Sequence, residues 1–126
     1  MDTSTARRYA RWLSYGRIGL GFVAFTAPRL PAAPWVGDTE ARRPPAKLLS
    51  RALGARDVAL GLGSVLALRH GTPARGWVEA GGLADAGDLA ATLLAWRHVP
   101  RRTRLVMLGI MAGSMAASRL LAPSLD

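Results

Sequence analysis

Apolar residues in this chain gather into four stretches of helical length, separated by polar or basic connections, and that pattern predicts four helices. They cover roughly 12–28 (WLSYGRIGLGFVAFTAP), 48–68 (LLSRALGARDVALGLGSVLAL), 77–96 (WVEAGGLADAGDLAATLLAW) and 104–122 (RLVMLGIMAGSMAASRLLA). Between the first two lies PRLPAAPWVGDTEARRPPAK, where five prolines argue against a regular helix. The later connections, RHGTPARG and RHVPRRT, are short, so consecutive helices are expected to pack antiparallel. A length of 126 residues suits one domain, residues 1–126. The expected fold is all-α, an up-down four-helix bundle with a proline-rich first loop.

Tryptophan placement moves this picture toward a membrane. Trp77 and Trp96 are nineteen residues apart in sequence, about 28 Å along a helix, close to the ~30 Å hydrocarbon thickness. Trp12 and Trp35 also fall at segment edges, where the headgroup interface favours indole rings. A soluble bundle is the alternative, supported by a mean hydropathy of only +0.16 and by charges inside three helices. Against it stands the middle of the third segment, which offers few large side chains to bury. The N-terminus resembles a signal peptide in outline, but Arg17 interrupts its apolar part, and a first transmembrane helix is the better reading. The expectation is an integral, multi-pass protein of the cell membrane.

Half the residues are apolar, 6% are aromatic and none is cysteine, which removes disulfides, thiolate chemistry and zinc–cysteine sites. His70 and His98 sit in loop-like stretches beside Arg and Pro, so no metal site and no cofactor is expected. A net charge of +9 raises the question of nucleic acid. The cations instead cluster between apolar segments with no basic helix carrying stacking aromatics, so the lipid bilayer is the expected partner and nucleic acid is not. The first and third connections hold Arg29, Arg42, Arg43, Lys47, Arg51, Arg97, Arg101, Arg102 and Arg104. The opposite side holds Arg7, Arg8, Arg11, Arg69 and Arg75, with Arg17 and Arg119 if they snorkel there. By the positive-inside rule both termini are extracytoplasmic.

Small residues recur every four positions as Gly109, Gly113 and Ala117 in the fourth segment, and as Gly82, Ala86 and Ala90 in the third. Such stripes let helix backbones approach closely in lipid. They predict packing within the chain or, for the fourth segment, a homo-oligomer seam.

The candidate chemistry is a polar constellation inside the apolar segments. Gly81, Asp85, Asp88 and Thr92 share one face of the third helix, and Asp57, Gly61 and Ser64 form a matching stripe on the second, with Arg56 about 100° round. Arg17, and Arg51 at the entry to the second helix, complete the set, while Glu79 points elsewhere, near the interface. Charges at membrane depth cost at least ~2.5–3.5 kcal/mol each, so they face a partner or water. Two readings follow. Arg56 or Arg51 pairs with Asp85 or Asp88 and locks two helices. Alternatively Asp57, Asp85, Asp88 and Arg56 form an acid/base site, one carboxyl keeping its proton beside an ionised neighbour, with Arg17, Arg51, Ser64, Gly81 and Thr92 lining a ligand pocket. Other chemistries fit less well. A phosphotransferase-like acidic motif breaks at Leu89, GLGS lacks the strand and lysine of a phosphate loop, and Ser64 or Ser114 has no His in reach to serve as base.

RIGLGFVAFTAPRL at 17–30, RALGARDVALGLG at 51–63 and the third helix with Asp85 and Asp88 together resemble a group of short actinobacterial four-helix membrane proteins, the DUF4267-like family. The resemblance implies a fold and a membrane location, with no activity attached. A looser likeness to DoxX-type proteins implies redox association and carries no residues over. The leading expectation is a non-catalytic accessory subunit or a binder of a lipophilic small molecule. An acid/base isomerase or cyclase comes second and a proton-coupled transporter third.

Overall fold

The Asp2 carboxylate starts the first helix by accepting hydrogen bonds from the Thr5 amide (2.9 Å) and the Ser4 hydroxyl (2.6 Å), satisfying a donor that the first turn cannot pair internally. In the computed structural model, which describes residues 1–126, that helix is α1 (Thr3–Thr26). It is followed by α2 (Arg29–Val36), α3 (Asp38–Ala41), α4 (Pro44–His70), α5 (Arg75–Leu94) and α6 (Arg104–Leu121), with single 3-10 turns at Trp96–His98 and Ala122–Ser124. The chain is all-α. The four expected segments are α1, α4, α5 and α6. α1 begins nine residues earlier than expected, because Ala6 and Ala10 in its charged first turns are fully buried and give that stretch a packing face.

The proline-rich connection departs from expectation, being mostly helical. Pro28 is the N-cap of α2, Pro31 lies in its first turn, and Pro44 and Pro45 open α4. At those places the missing amide would have had no partner and the fixed φ suits a helix. Only Pro34 sits inside a helix. Gly37, at φ +90°, turns the chain from α2 into α3, where Asp38 ties the junction. Arg29 donates to one Asp38 carboxylate oxygen (2.8 and 3.1 Å) and Arg42 to the other (3.1 and 3.3 Å).

α5 stops at Leu94, short of Trp96. Val99 is extended ahead of Pro100, as a residue preceding proline prefers, and the 3-10 turn absorbs the change of direction. The two tryptophans therefore do not frame one continuous helix. Gly71, at φ +68°, ends α4 in the left-handed conformation.

The largest helix interface is between α1 and α4, followed by that between α5 and α6. Ala6 and Ala10 (start of α1), Ala67 and Leu68 (end of α4), Ala74 and Val78 (start of α5) and Leu121, Ala122 and Leu125 (at and just past the end of α6) form one apolar cluster. Starts meeting ends in this way makes the four long helices alternately antiparallel. The cluster is pinned by Arg7, which donates to the Leu68 carbonyl (3.0 Å), and by the Ala74 amide, which donates to the Leu125 carbonyl (3.0 Å).

α1 and α4 cross at two glycines facing each other. A Cβ on Gly21 would stand 2.5 Å from the Gly54 carbonyl oxygen, and a Cβ on Gly54 the same distance from the Gly21 oxygen. Gly82 brings α5 onto α6, where an added Cβ would meet that of Ser118 at 2.8 Å. The stripe on α6 differs from the intrachain reading. A Cβ on Gly109 or Gly113 meets nothing within 4 Å, Ala117 is only half-buried, and Ala90 on α5 is exposed. The face of α6 that packs inward carries Met111, Ser118 and Leu121 instead.

Few residues are enclosed, and many large apolar side chains stay outside. Only 27 of 126 residues are buried, and the largest side chains fully enclosed are Leu125, Thr92 and Ser118. Trp12, Phe22, Phe25, Leu83, Leu94, Leu105 and Leu120 all lie outside, Leu105 at 79% exposure. One helical stretch, Arg104–Ser124, is long and apolar enough to cross a membrane by itself. α1, α4 and α5 do not meet the same standard, so the expectation of four such spans is met by this measure in one.

Two measurements check these points. Gly54→Ala should lower the melting temperature, through overlap costing about 1–3 kcal/mol, whereas Gly109→Ala should leave it unchanged or raise it, gaining up to ~1 kcal/mol of helix propensity. Separately, hydrogen bonds from Arg29 and then Arg42 hold the Asp38 carboxyl below the usual carboxylate range. A lowered folded value means that its contribution to stability is present above the unfolded Asp pKa and lost as pH falls through the folded one. A carboxyl NMR titration should find Asp38 below the ordinary Asp value, and Arg29→Gln with Arg42→Gln should return it there.

Candidate functional site: an ion-paired polar centre

The apolar cluster occupies the end of the molecule that holds both termini, and the middle is built from charge. Arg17, about two-thirds along α1, reaches across to two helices. Its Nη1 donates to Asp57 Oδ1 on α4 at 2.9 Å, and its Nη2 donates to Asp85 Oδ2 on α5 at 2.5 Å. Nη2 also lies 3.3 Å from the Gly81 carbonyl oxygen. The guanidinium passes directly over Gly81, where a Cβ would stand 3.3–3.4 Å from three of its atoms. Gly81 thus leaves the space expected of it. α6 joins through Ser114, whose hydroxyl donates to Asp85 Oδ2 at 2.6 Å. The Arg17 side chain is 10% exposed, and those of Asp85 and Asp57 are 12% and 15% exposed.

A second pair continues the network. Arg56 grips Asp88 with both arms of its guanidinium, Nη1 to Oδ1 at 3.0 Å and Nη2 to Oδ2 at 2.7 Å, and Nη2 also approaches Asp57 Oδ1 at 3.4 Å. The two-pronged geometry is the stronger form of an arginine–carboxylate contact. Arg56 Nε is buried without a partner. Two guanidiniums and three carboxylates make the centre formally −1.

Two polar groupings extend the column toward either end. On the side of the termini, Ser14 donates to the Ala10 carbonyl (2.7 Å) and its oxygen lies 2.8 Å from that of Ser64. A cavity of about 10 Å³ opens here, lined by Ser14, Ser64, Arg17, Gly81 and Ser118, a size near that of one water. Ser118 Oγ is buried there without a partner. On the other side, the Thr92 hydroxyl donates to the Asp88 carbonyl (2.7 Å) and accepts from Trp35 Nε1 (2.8 Å), so α2 closes that end of the column.

The sequence-derived candidates distribute as follows. Asp57, Asp85, Asp88, Arg56, Arg17, Gly81 and Thr92 do come together. Arg56 takes Asp88, as one of the expected locking pairs had it, but Asp85 belongs to Arg17. Ser64 faces Ser14 and the cavity rather than a carboxylate. Arg51 lies outside the centre: it is exposed and its Nε donates to the Phe25 carbonyl at 3.1 Å. Glu79 is exposed and paired with Arg75. Ser14, Ser118 and Trp35 were missed. Ser14 could have been found, since it shares a helix face with Arg17 three residues on, whereas nothing local marks Trp35 as a partner of Thr92.

No family model matches the chain, and no curated protein or solved structure matches it.

Because Arg17 balances two acids, removing it strands Asp85 and leaves Asp57 only the 3.4 Å approach of Arg56. Arg17→Met should be the most damaging change in the centre, costing about 3–5 kcal/mol. Asp85→Asn should cost less, and Asp88→Asn less again, because Arg56 is 31% exposed and keeps Asp57 nearby. Ser118→Ala removes an unpaired hydroxyl and should leave stability unchanged or improved. Melting temperatures in detergent would check this ranking, and an Arg17→Met protein as stable as wild type would refute it.

Proposed function

We propose that the chain is an integral membrane protein crossing the bilayer with α1, α4, α5 and α6, and that it serves as a non-catalytic accessory subunit whose charged centre holds the helices together. The observation that carries this reading is the number of large apolar side chains left outside, among them Trp12, Phe22, Leu83, Leu94, Leu105 and Leu120, around a centre of Arg and Asp. Apolar surface of that extent is stable against lipid or a partner rather than water. The intramembrane charges face one another, as such charges do. Their pairing gives α1, α4 and α5, which do not meet the standard of a single span, a way to cross together.

The distribution of cations supports an orientation. The nine cations of the first and third connections lie at the end remote from the termini, together with Asp38 and Glu40, a net of +7. The end with the termini has six cations, since Arg17 lies in the centre, against Asp2, Glu79 and Asp126, a net of +3. The positive-inside rule then puts both termini outside. The membrane location is also what the resemblance to the DUF4267-like group implies. Gly109 and Gly113, facing open space on α6, suit a contact with a second copy or another subunit. Acid/base catalysis is the weaker reading, because every central carboxylate is held by a guanidinium and the adjoining cavity takes about one water. A lipophilic substrate would require the helices to part.

The test uses the absence of cysteine. Single-cysteine variants Thr3→Cys and Thr39→Cys should stay in the membrane pellet after alkaline carbonate extraction. An impermeant maleimide applied to intact cells should label the first and reach the second only after permeabilisation. Release of the protein into the soluble fraction would overturn the reading, and the reverse labelling would overturn the orientation.

A further inference from the structure

At the end remote from the termini, where α1 stops, α2 begins and the first turns of α4 pass, the surface opens into a groove of about 560 Å³. It is a shallow groove, open to its surroundings along much of its length. Its lining includes four cations, Arg29, Arg42, Lys47 and Arg51, beside Pro28 and Leu30. We propose that this groove binds the phosphate of an anionic lipid headgroup. The inference rests on the membrane reading above and gives that membrane a specific lipid.

Three features of the groove support it. First, the charge is in excess. Asp38 engages Arg29 and Arg42 with one oxygen each, while Lys47 and Arg51 have no carboxylate partner, so four cations face one acid. Second, the donors are held in place before any ligand arrives. Asp38 aligns two guanidiniums, and the bond from Arg51 Nε to the Phe25 carbonyl fixes a third while both of its Nη groups remain unengaged. Arginine forks match the oxygens of a phosphate. Third, the same helix ends expose apolar side chains, Phe25 at 51%, Leu30 at 66% and Leu48 at 68%. Free phosphate has no use for such a rim, whereas a lipid would lay its acyl chains against it. A basic site at the membrane face is also where an anionic leaflet concentrates its headgroups.

The experiment is reconstitution of the purified full chain into phosphatidylcholine vesicles with and without phosphatidylglycerol, measuring melting temperature and, by native mass spectrometry, the phosphatidylglycerol retained. Wild type should melt higher and retain the anionic lipid. Lys47→Gln with Arg51→Gln should lose most of that gain, with retention about fivefold weaker for each charge removed. Should the Arg51 change unfold the protein by releasing the Phe25 carbonyl, Lys47→Gln alone still decides, because its ammonium has no hydrogen bond or ion pair to lose. Equal gains in wild type and variants would place the lipid elsewhere and overturn the proposal. Inorganic phosphate added to phosphatidylcholine vesicles should have no effect; if it reproduces the gain, the site takes free phosphate and the lipid assignment falls. Normal insertion into phosphatidylcholine without any gain from phosphatidylglycerol would sink the headgroup site alone. Failure to insert into either vesicle would sink the membrane reading and the proposal with it.

Discussion

The guanidinium of Arg17 stands between two carboxylates from different helices, Asp57 on α4 and Asp85 on α5, and the rest of the structure is arranged around that bridge. A charge in an enclosed setting is stable only when paired and hydrogen-bonded. Arg17 therefore dictates that α1, α4 and α5 present particular faces to one another, and Ser114 draws α6 into the same knot. An apolar core of alanines could slide or rotate with little penalty, because its contacts are alike in every register. An arginine reaching for two acids cannot. The ion pairs act here as registration devices, and their demand for exact helix rotation is what a set of small, similar residues cannot supply.

Close approach is the companion constraint. Arg17 reaches α4 and α5 because Gly21 and Gly54 let α1 and α4 cross with their backbones nearly in contact, and because Gly81 clears the path of the guanidinium. Small residues within and large residues without follow from the same geometry. Where α1 and α4 lie this close only small residues fit between them, so Phe22 and Phe25 lie outside, while the enclosed leucines, Leu68, Leu121 and Leu125, gather at the end that holds the termini. The polar centre and the apolar exterior are thus two consequences of one packing arrangement.

Much of the arrangement was legible in the sequence, and the failures have physical causes. Helix positions followed from periodic apolar runs, and the shared face of Gly81, Asp85, Asp88 and Thr92 followed from 3.6 residues per turn. The proline-rich connection was misread because proline was treated as a breaker wherever it stood, although Pro28, Pro31, Pro44 and Pro45 all occupy caps or first turns. The stripe of Gly109 and Gly113 was read as either packing within the chain or a homo-oligomer seam, because spacing identifies a face but does not say which way that face points; within the chain it meets nothing. Arg51 was grouped with the centre on its position near the start of a helix, but six residues from Asp57 place it about 120° round and ~9 Å along α4, at the surface.

The sequence by itself determined the helical class, the four long segments, the face that each polar residue shares and the presence of both carboxylates and guanidiniums inside the apolar segments, since all of these depend on residues within a few turns of one another. Only the tertiary structure decided that Arg17 is the hub, that Asp85 belongs to it and Asp88 to Arg56, that Trp35 closes the column over Thr92, and that four cations from three helix ends converge on one groove. The central partners are 32 to 68 residues apart in sequence. Which of several chemically equivalent arginines meets which aspartate depends on the rotation and height of each helix against its neighbours, a quantity with no local signature in the chain.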